Sequence, residues 1–372
     1  PQNAATQDKM QAGSTFKVFT LIAALESGDF SLRSSLNGAS PRYFKEFADP
    51  GADTEAGRRG RVKNFGGESF GRMDLRRATG QSVNTIYAEL NIEVGAKNSM
   101  KAASDAGVRS TLQPNVGNVL GTDYVTVLDM ASAYATIAAE GVRANPYIVK
   151  EIRFLDEGIE PITVKPVTKK VFDKDLMSDV IDAMTYPVEG GSARYVGQNL
   201  NRPAAGKTGT SESFRSAWFD GFVPQLATAV GLYRSGPDGE ELKMENLPDS
   251  GDITGGSYPT RIWTAYMKAA LDGTKVERFP EPANINKDAK YRPTRTSNPS
   301  GPTTTRAPST TAPPSTTAPP TSAPPEPTPT PEPTPTQPSP TPEPTPSTPG
   351  NGNGNGNPGG RGKPAPSASP GG

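Results

Sequence analysis

The composition of the chain changes sharply near residue 280, and this change limits where a hydrophobic core can form. Most of the 40 prolines in the 372 residues follow Tyr291, where Pro, Thr, Ser and Gly dominate. Such a segment favours extended polyproline II and has too few apolar side chains to offset the entropy lost on ordering. We therefore predict one folded domain over residues 1–278 and a disordered tail, suited to a linker or stalk, over residues 279–372.

The absence of two residue types restricts the chemistry. The chain contains neither histidine nor cysteine, which excludes a Ser-His-Asp triad, a histidine proton relay and any His or Cys metal site. Its 39 acidic and 39 basic residues give a formal net charge of zero, so we expect no nucleic-acid partner. Any catalysis must use Ser, Lys, Tyr, Asp or Glu, and no cofactor is expected.

Hydrophobic periodicity predicts an α+β domain, with a helical lobe and an antiparallel meander of strands. Residues 37–71 lack periodicity and indicate an irregular surface excursion. In the last predicted helix, Ile262, Tyr266 and Ala270 are expected to share one face, and this helix could cover the sheet. The predicted helices span residues 14–27, 73–94, 99–106, 126–140, 174–184 and 259–271, and the strands span 147–154, 204–210, 217–223 and 226–233.

Three short motifs carry the candidate chemistry. They are Ser14-x-x-Lys17 at a helix start, Ser82-Val-Asn84 beside a second helix, and Lys207-Thr-Gly-Thr210 on a predicted strand. Residues three apart share a helix face, so the Lys17 amine can reach the Ser14 hydroxyl. The spacing therefore makes this lysine the available base for a serine nucleophile.

Each of these groups has a possible chemical task. Lys17 can act as a base only if burial or a nearby cation, such as Lys207, lowers its pKa from about 10.4 to about 7–8. Backbone N–H groups of Ser14 and Thr210 could bind a developing oxyanion. The Ser82 hydroxyl could relay a proton, and Asn84 could hold a peptide backbone. Taken together, the motifs indicate serine acyl transfer.

Ordinary structural roles compete with this interpretation when the motifs are considered one at a time. Ser14 could be a helix N-cap, Lys17 a solvated lysine, and Ser82 and Asn84 turn residues. The glycines around Lys207 could form a β-bulge. The ordered co-occurrence of all three motifs in a histidine-free chain favours the chemical interpretation.

The chain resembles the transpeptidase domain of class A, bifunctional penicillin-binding proteins, whose signatures are Ser-x-x-Lys, Ser-x-Asn and Lys-Thr-Gly. The likeness covers residues 1 to about 280 and includes the segments AATQDKMQAGSTFKVFTLIAALESG, GQSVNTIYAELNIEVG, TDYVTVLDMASAYATIAAEGV, GKTGTSESFRSAWFDGFVP and GGSYPTRIWTAYMKAALDG. The tail resembles those of actinobacterial members. The resemblance implies a penicillin-binding/β-lactamase-like fold, in which helices cover a five-stranded antiparallel sheet beside a helical lobe.

In that family, the first strands of the sheet, a glycosyltransferase domain and a membrane anchor lie upstream of the Ser-x-x-Lys helix. Only thirteen residues precede Ser14 here. We therefore expect an N-terminally truncated domain that lacks the first strands, is unstable alone and could be completed by a separate N-terminal piece. The expected location is extracytoplasmic, on the cell-wall side of the plasma membrane.

The resemblance implies a D,D-transpeptidase that cross-links peptidoglycan stem peptides through a serine acyl-enzyme and is acylated by β-lactam antibiotics. Ser14 would attack the penultimate D-alanine carbonyl, and the acyl group would pass to an amine of a neighbouring strand. Further partners could be the cell-division or elongation machinery. The implied catalytic residues are Ser14, Lys17, Ser82 and Lys207, and the implied substrate-binding residues are Asn84, Thr208, Gly209 and Thr210.

Two other kinds of function remain open at this point. A D,D-carboxypeptidase or β-lactamase would use the same nucleophile but pass the acyl group to water. The sequence Ser82-Val-Asn84 differs from the Ser-Asp-Asn of class A β-lactamases. A non-enzymatic β-lactam sensor or a cell-wall-binding scaffold is the alternative of another class, and intact Lys17 and Lys207 fit a sensor equally well.

Overall fold

The structure is a computed structural model that describes residues 3–156, 158–289 and 291. The helices are α1 Ala4–Gln7, α2 Lys17–Glu26, α3 Glu55–Arg58, α4 Leu75–Gly80, α5 Asn84–Val94, α6 Ala96–Ala106, α7 Val127–Ala138, α8 Lys174–Glu189, α9 Arg194–Asn199 and α10 Tyr258–Ala270. The strands are β1 Met10–Gln11, β2 Ser35–Asn37, β3 Arg42–Tyr43, β4 Arg61–Val62, β5 Arg72–Asp74, β6 Tyr124–Val125, β7 Val142–Ala144, β8 Glu151–Ile152, β9 Ile162–Thr163, β10 Thr168–Lys170, β11 Ala205–Thr210, β12 Ser216–Val223, β13 Leu226–Ser235 and β14 Glu241–Leu242.

The main sheet is an antiparallel meander of β11, β12, β13 and β14. Its register places Lys207 opposite Asp220 and Asp220 opposite Ala229. Beyond its pairing with β12, β13 pairs among the described residues only with β14, at Arg234 and Ser235. The described sheet therefore has three long strands and one short edge strand. The remaining strands form two-stranded pairs: β1 with β6, β2 with β5, β3 with β4, β7 with β10 and β8 with β9.

The two faces of the sheet pack into separate cores because side chains alternate along a strand. Trp218 and Phe222 of β12 belong to the larger core, which they share with α2, α5, α7 and α8. Phe219 of the same strand packs on the other face against Trp263 of α10, with ring centroids 5.1 Å apart in an edge-to-face arrangement. Helices therefore cover the sheet on both sides.

Helix α2 lies at the centre of the larger core. Its residues from Lys17 to Leu25 are all buried, so this is not a surface helix with one apolar stripe. Neighbouring helices contact it from several sides, among them α5, α6 and α8. This position takes the Lys17 side chain out of solvent.

Local signals explain where several elements begin. Helix α7 starts with a capping box, in which the Thr126 hydroxyl accepts from Asp129 N and the Asp129 carboxylate accepts from Thr126 N. Helix α10 carries Pro259 in its first turn, where a missing N–H costs no helical hydrogen bond. Asp74 caps α4 by accepting from Arg77 N.

Two predicted elements are shorter than the periodicity indicates. The predicted helix over residues 73–94 is divided into β5, α4 and α5, with a break at residues 81–83 where Ser82 adopts a left-handed backbone with φ 56°. The predicted strand over residues 147–154 contains only β8, whose two residues are exposed. The break at residues 81–83 positions a motif residue, whereas the apolar side chains of residues 147–154 are exposed and pack into no longer strand.

The predicted face of the last helix is wrong. Ile262 and Tyr266 of α10 are 44% and 54% exposed, whereas Trp263 and Met267 are fully buried. The observed face is centred on Trp263, whose indole fills the space beneath Phe219 and donates to the Thr228 carbonyl oxygen at 3.0 Å. A large aromatic side chain with a polar N–H determines the rotation of the helix more strongly than smaller apolar residues do.

Residues 279–289 and 291, which the composition change places in the tail, pack against the domain. Asn284 N and Ile285 N each donate to the Asp179 carboxylate at 2.8 Å. Asn286 donates to two carbonyl oxygens near the end of α2, and the Tyr291 ring lies 4.5 Å from that of Phe30. The rest of the predicted tail, residue 290 and residues 292–372, lies outside the described residues.

None of the helices in the described part of the chain is both long and apolar enough to cross a membrane.

Candidate active site

A groove of about 550 Å³ lies between the helical lobe, the α8–α9 connection and β11. Its lining brings together residues from all three predicted motifs, although they are far apart in the sequence. Ser14, Ser82, Asn84, Thr208 and Thr210 all contribute to the wall or floor. The groove is therefore the candidate site, and its chemistry depends on how each side chain is held.

Ser14 lies in a 3₁₀ turn, Gly13–Phe16, immediately before α2. Gly13 has φ +58°, and a Cβ at this position would lie 2.9 Å from backbone atoms of Thr210. Only glycine combines that conformation with so close an approach at low cost. The turn therefore seats Ser14 directly against β11.

Lys17 has four polar neighbours. Its Nζ lies 2.9 Å from Ser14 Oγ, 2.7 Å from the Ser82 carbonyl oxygen, 3.2 Å from Ser82 Oγ and 2.6 Å from Asn84 Oδ1. A neutral amine has two hydrogens and one lone pair, and the two carbonyl-type oxygens can only accept. When the amine is neutral, its hydrogens go to those oxygens, and its lone pair is left for the Ser14 hydroxyl proton.

The environment favours a neutral Lys17. The side chain is fully buried, and burial, reinforced by the charge of Lys207, holds the pKa of Lys17 well below its ordinary value of 10.5. Burial also lowers the pKa of Lys207 to about 7. Desolvation and a like charge both disfavour an ammonium, so Lys17 can be a base at neutral pH.

Ser82 bridges the two lysines. Lys207 Nζ donates to Ser82 Oγ at 2.7 Å and to the Thr208 carbonyl oxygen at 3.1 Å. The left-handed backbone of Ser82, with φ 56°, is uncommon for a residue with a Cβ and is typical of functional sites. It allows both the carbonyl and the hydroxyl of one residue to face Lys17.

Asn84 begins α5. The oxygen and the nitrogen of its side-chain amide each form a hydrogen bond with another residue of the chain. Oδ1 accepts from Lys17, and Nδ2 donates to the Lys63 carbonyl oxygen at 2.8 Å. Asn84 also lines the groove, which leaves its second N–H available to a ligand. Its observed contacts make it an orienting partner of Lys17, in addition to the predicted role of substrate ligand.

In the Lys207 motif, the two threonines face the groove and the glycine packs against neighbouring backbone. Thr208 and Thr210 line the groove, and Thr210 Oγ1 accepts from Gly255 N at 3.0 Å. Gly209 is not part of the lining, because it packs under the turn that carries Ser14, where an added Cβ would lie 2.5 Å from the Ala12 carbonyl oxygen. The structure thus places Gly209 as a spacer that permits close backbone packing.

Comparison with known proteins identifies the family. Residues 1–246 match the model of the penicillin binding protein transpeptidase domain. The chain belongs to this family. Among curated relatives, penicillin-binding protein 1A of Mycolicibacterium smegmatis is 33% identical over 303 residues, covering 75% of this chain and 36% of that relative. Penicillin-binding protein 1A of Mycobacterium tuberculosis is 32% identical over 302 residues, covering 75% and 34%.

Solved structures agree with this assignment. The penicillin-binding protein PonA1 from Mycobacterium tuberculosis superposes with a TM-score of 0.64 at 30% identity, covering 77% of this chain and 75% of that chain. PonA1 in complex with penicillin V gives a TM-score of 0.60 at 28% identity, with the same coverage. The predicted penicillin-binding fold is therefore confirmed. The chain spans about a third of the length of the two curated relatives.

Two residues of this transpeptidase domain were not identified from the sequence. Ser192, in the connection between α8 and α9, lies with its Oγ 2.7 Å from Thr208 Oγ1 and lines the groove. The sequence around Ser192 gave little indication of a functional role, because a serine after two glycines in a loop is typical of turns. Asp220 is the second, and the alternation of β12 could have placed it on the face that carries Lys207.

Asp220 is a buried acid beside the floor of the groove. It lies opposite Lys207 in the sheet and is fully buried. Neither carboxyl oxygen has a hydrogen-bond partner among the described residues, since the nearby Thr15 hydroxyl donates to the Ala12 carbonyl oxygen at 2.8 Å. Burial raises the pKa of Asp220 well above its ordinary value of 3.8. Burial therefore disfavours the charged form of this carboxyl relative to that of an exposed aspartate.

Proposed function

We propose that the chain provides D,D-transpeptidase activity, which cross-links peptidoglycan stem peptides through an acyl-enzyme on Ser14 and is blocked when a β-lactam acylates that serine. The observation that carries the proposal is the hydrogen-bond arrangement at Lys17, whose Nζ lies 2.9 Å from Ser14 Oγ. Membership in the penicillin binding protein transpeptidase family supports it, as does the similarity to PonA1, which has been solved in complex with penicillin V.

In the acylation step, Ser14 Oγ attacks the carbonyl carbon of the penultimate D-alanine, and its proton moves to Lys17 Nζ. Backbone N–H groups of Ser14 and Thr210 would stabilise the oxyanion. The C–N bond to the terminal D-alanine then breaks. The leaving amine takes a proton through the Ser82 hydroxyl, which lies within reach of both lysines.

In the second step, an amine of a neighbouring stem peptide attacks the Ser14 ester. An amide forms, the ester C–O bond breaks, and Ser14 Oγ regains a proton. Lys207 would supply positive charge near the leaving group and the donor's terminal carboxylate, and the hydroxyls of Thr208 and Thr210 would hold that carboxylate. Asn84 would orient Lys17 and offer its free N–H to the substrate backbone. No metal or nucleotide is needed for Ser-Lys acyl transfer.

The substrate determines where such an enzyme works. Because peptidoglycan is built outside the plasma membrane, the domain would act on the cell-wall side. Contacts with the cell-division or elongation machinery, and the stalk-like role of the tail, stay predictions from the sequence.

Penicillin acylation of the whole chain tests the proposal. The parent protein, Ser14→Ala and the matched surface variant Ser235→Ala are incubated with excess penicillin, and their intact masses are followed for several hours. We expect one long-lived adduct on the parent and on Ser235→Ala and none on Ser14→Ala. The Ser235 hydroxyl is an exposed group outside the groove.

Two results would contradict the proposal in different ways. An adduct that disappears while penicillin is hydrolysed would indicate a carboxypeptidase or β-lactamase. An adduct on Ser14→Ala would mean that another residue is the nucleophile.

A further inference from the structure

The groove carries one charge of each sign at its rim. Among the described residues that line it, Glu68 and Arg194 are the charged side chains, and the others are hydroxyl, amide, aromatic or glycine residues. Both are exposed. Neither forms an ion pair with another described residue, so both charges are available to a ligand.

Arg194 belongs to the wall that meets Thr208. It begins α9, two residues after Ser192, whose Oγ contacts Thr208 Oγ1 at 2.7 Å. Under the proposed function Thr208 holds the terminal carboxylate of the donor peptide. Arg194 therefore adds positive potential on the donor side of the groove.

Glu68 belongs to another part of the lining, the loop that follows the Phe65–Gly67 turn. Asn64 fixes its backbone by donating from Nδ2 to the Glu68 carbonyl oxygen at 2.9 Å. The same Asn64 side chain accepts from Thr85 N at 3.0 Å, which ties the Glu68 loop to the residue after Asn84. The carboxylate is thus mounted on a loop anchored to the catalytic motif, beside Phe65, which is 58% exposed.

Transpeptidation needs two ligands of opposite charge in one groove. The donor brings a carboxylate, and the acceptor brings an amine that is an ammonium in neutral water. We propose that Glu68 binds the ammonium of the acceptor peptide and that the acceptor enters along the Phe65–Glu68 wall, while the donor carboxylate faces Arg194. This inference rests on the proposed function and assigns the acceptor side of the site.

In the aminolysis step, the ammonium held by Glu68 first loses one proton to solvent and becomes a neutral amine. Its nitrogen attacks the carbonyl carbon of the Ser14 ester, a C–N bond forms and the C–O bond to Ser14 breaks. The surplus proton on nitrogen passes through Ser82 and Lys17 to Ser14 Oγ.

The test measures how the acyl-enzyme divides between an amine and water. The whole chain is acylated with a small thioester donor that ends in a carboxylate, in the presence of a D-amino acid amide as acceptor. The ratio of aminolysis to hydrolysis is measured below acceptor saturation and normalised to the acyl-enzyme formed. The variants are Glu68→Gln, Glu68→Lys and Arg194→Gln, with Glu212→Gln as a matched control on an exposed acid outside the lining.

We expect the ratio of aminolysis to hydrolysis to fall about 3-fold in Glu68→Gln and about 10-fold in Glu68→Lys at low salt. The reason is that charges at the rim change how often the charged acceptor meets the site. Added salt should shrink both effects, since exposed charges are screened. Arg194→Gln should slow acylation by the carboxylate donor and leave the ratio unchanged, and Glu212→Gln should match the parent.

An unchanged ratio in both Glu68 variants, with acyl-enzyme present, overturns the acceptor assignment. A salt-independent loss overturns it too, because it would indicate a structural role of Glu68. If the parent forms no Ser14 adduct with penicillin or thioester, the proposed function itself fails, and the acceptor assignment fails with it. These results are distinguishable because acylation and partition are measured separately.

Discussion

The floor and the rim of the groove both carry charged residue types, but in opposite environments. On the floor, Lys17 and Lys207 are fully buried, and burial lowers the pKa of each. On the rim, Glu68 and Arg194 are exposed. Burial disfavours the charged form of a lysine, whereas an exposed charge keeps its hydration and acts by attraction.

The two regions also differ in their supports. Lys17 belongs to α2, which is buried on all sides, and Lys207 belongs to β11, which pairs with a buried strand. Glu68 lies on a loop, and Arg194 lies on a helix of six residues. Packed elements can hold a reacting pair to within tenths of an ångström. We infer that the floor determines the reaction and the rim influences which peptides reach it.

The largest expected effect concerns the base on the floor. Replacing Lys17→Gln should slow penicillin acylation by about 10²–10⁴-fold, the usual contribution of general acid–base catalysis. The acylation rate is measured from the amount of penicillin adduct in samples quenched at successive times. Lys174→Gln is the control, because Lys174 is an exposed lysine that pairs with Glu140. A loss below about 5-fold in Lys17→Gln would contradict the general-base role.

The next effect is the pH dependence of acylation. A lysine with a lowered pKa loses its proton as pH rises, so the rate should rise as Lys17 becomes neutral. It should fall again above about 7, where Lys207 loses the positive charge that assists the reaction. On each side of the maximum, the acylation rate should change by up to about 10-fold per pH unit, as for a single titrating group. The check is the second-order acylation rate between pH 5 and 9 at constant ionic strength, and a flat profile would refute it.

A smaller effect is expected on stability, from Asp220 beside the floor. Its raised pKa means that the folded state keeps a proton that the unfolded state releases above 3.8. The contribution of Asp220 to stability is therefore greatest below pH 3.8 and falls as pH rises from 3.8 toward the raised pKa of the folded state. Asp220→Asn cannot titrate, so it should become more stable than the parent by about 1–3 kcal/mol near neutral pH.

Urea unfolding at pH 4 and pH 8 measures this difference. The advantage of Asp220→Asn should widen with pH, while the exposed control Asp238→Asn should track the parent. An advantage that is independent of pH would mean that Asp220 does not titrate as described.

The smallest effect concerns the contact between the rim and the Lys207 motif. Ser192→Ala removes the hydrogen bond to Thr208 Oγ1 and should weaken acylation by carboxylate-bearing donors by about 2- to 10-fold, the range of one hydrogen bond. Ser192→Thr keeps the hydroxyl and should retain most of the rate. Equal losses in both variants would show that packing, not the hydroxyl, is what matters there.

The sequence predicts the floor well because its signals are local. Ser14 and Lys17 are three residues apart at the start of a helix, and the Lys207 motif lies on a strand with clear neighbours. That these segments meet at one groove depends on long-range packing, for which only the family resemblance gave an indication. The φ of 56° at Ser82 is likewise imposed by the fold, and it interrupts a helix that periodicity alone predicts as continuous.

The rim and the outer helices were harder to predict. Glu68 is one acid in an irregular stretch, and Ser192 is one serine after glycines, so neither has a pattern that distinguishes it from solvated loop residues. The prediction of the buried face of α10 was wrong, because Trp263 fills the space under the sheet, whereas Ile262 and Tyr266 are exposed. Residues just after 278 pack on the domain through particular hydrogen bonds, such as those of Asn284 and Ile285 with Asp179, which composition does not reveal.

If Lys17 is the base for Ser14, its amine must be neutral near neutral pH, and this can be measured. The whole chain is labelled with ¹⁵N-lysine, the Lys17 amine signal is assigned by its loss in Lys17→Gln, and the signal is titrated from pH 5 to 10. We expect a neutral amine at pH 8, with a transition well below the ordinary lysine value of 10.5. An ammonium signal that persists through pH 9 would contradict the role of Lys17 as the base for Ser14.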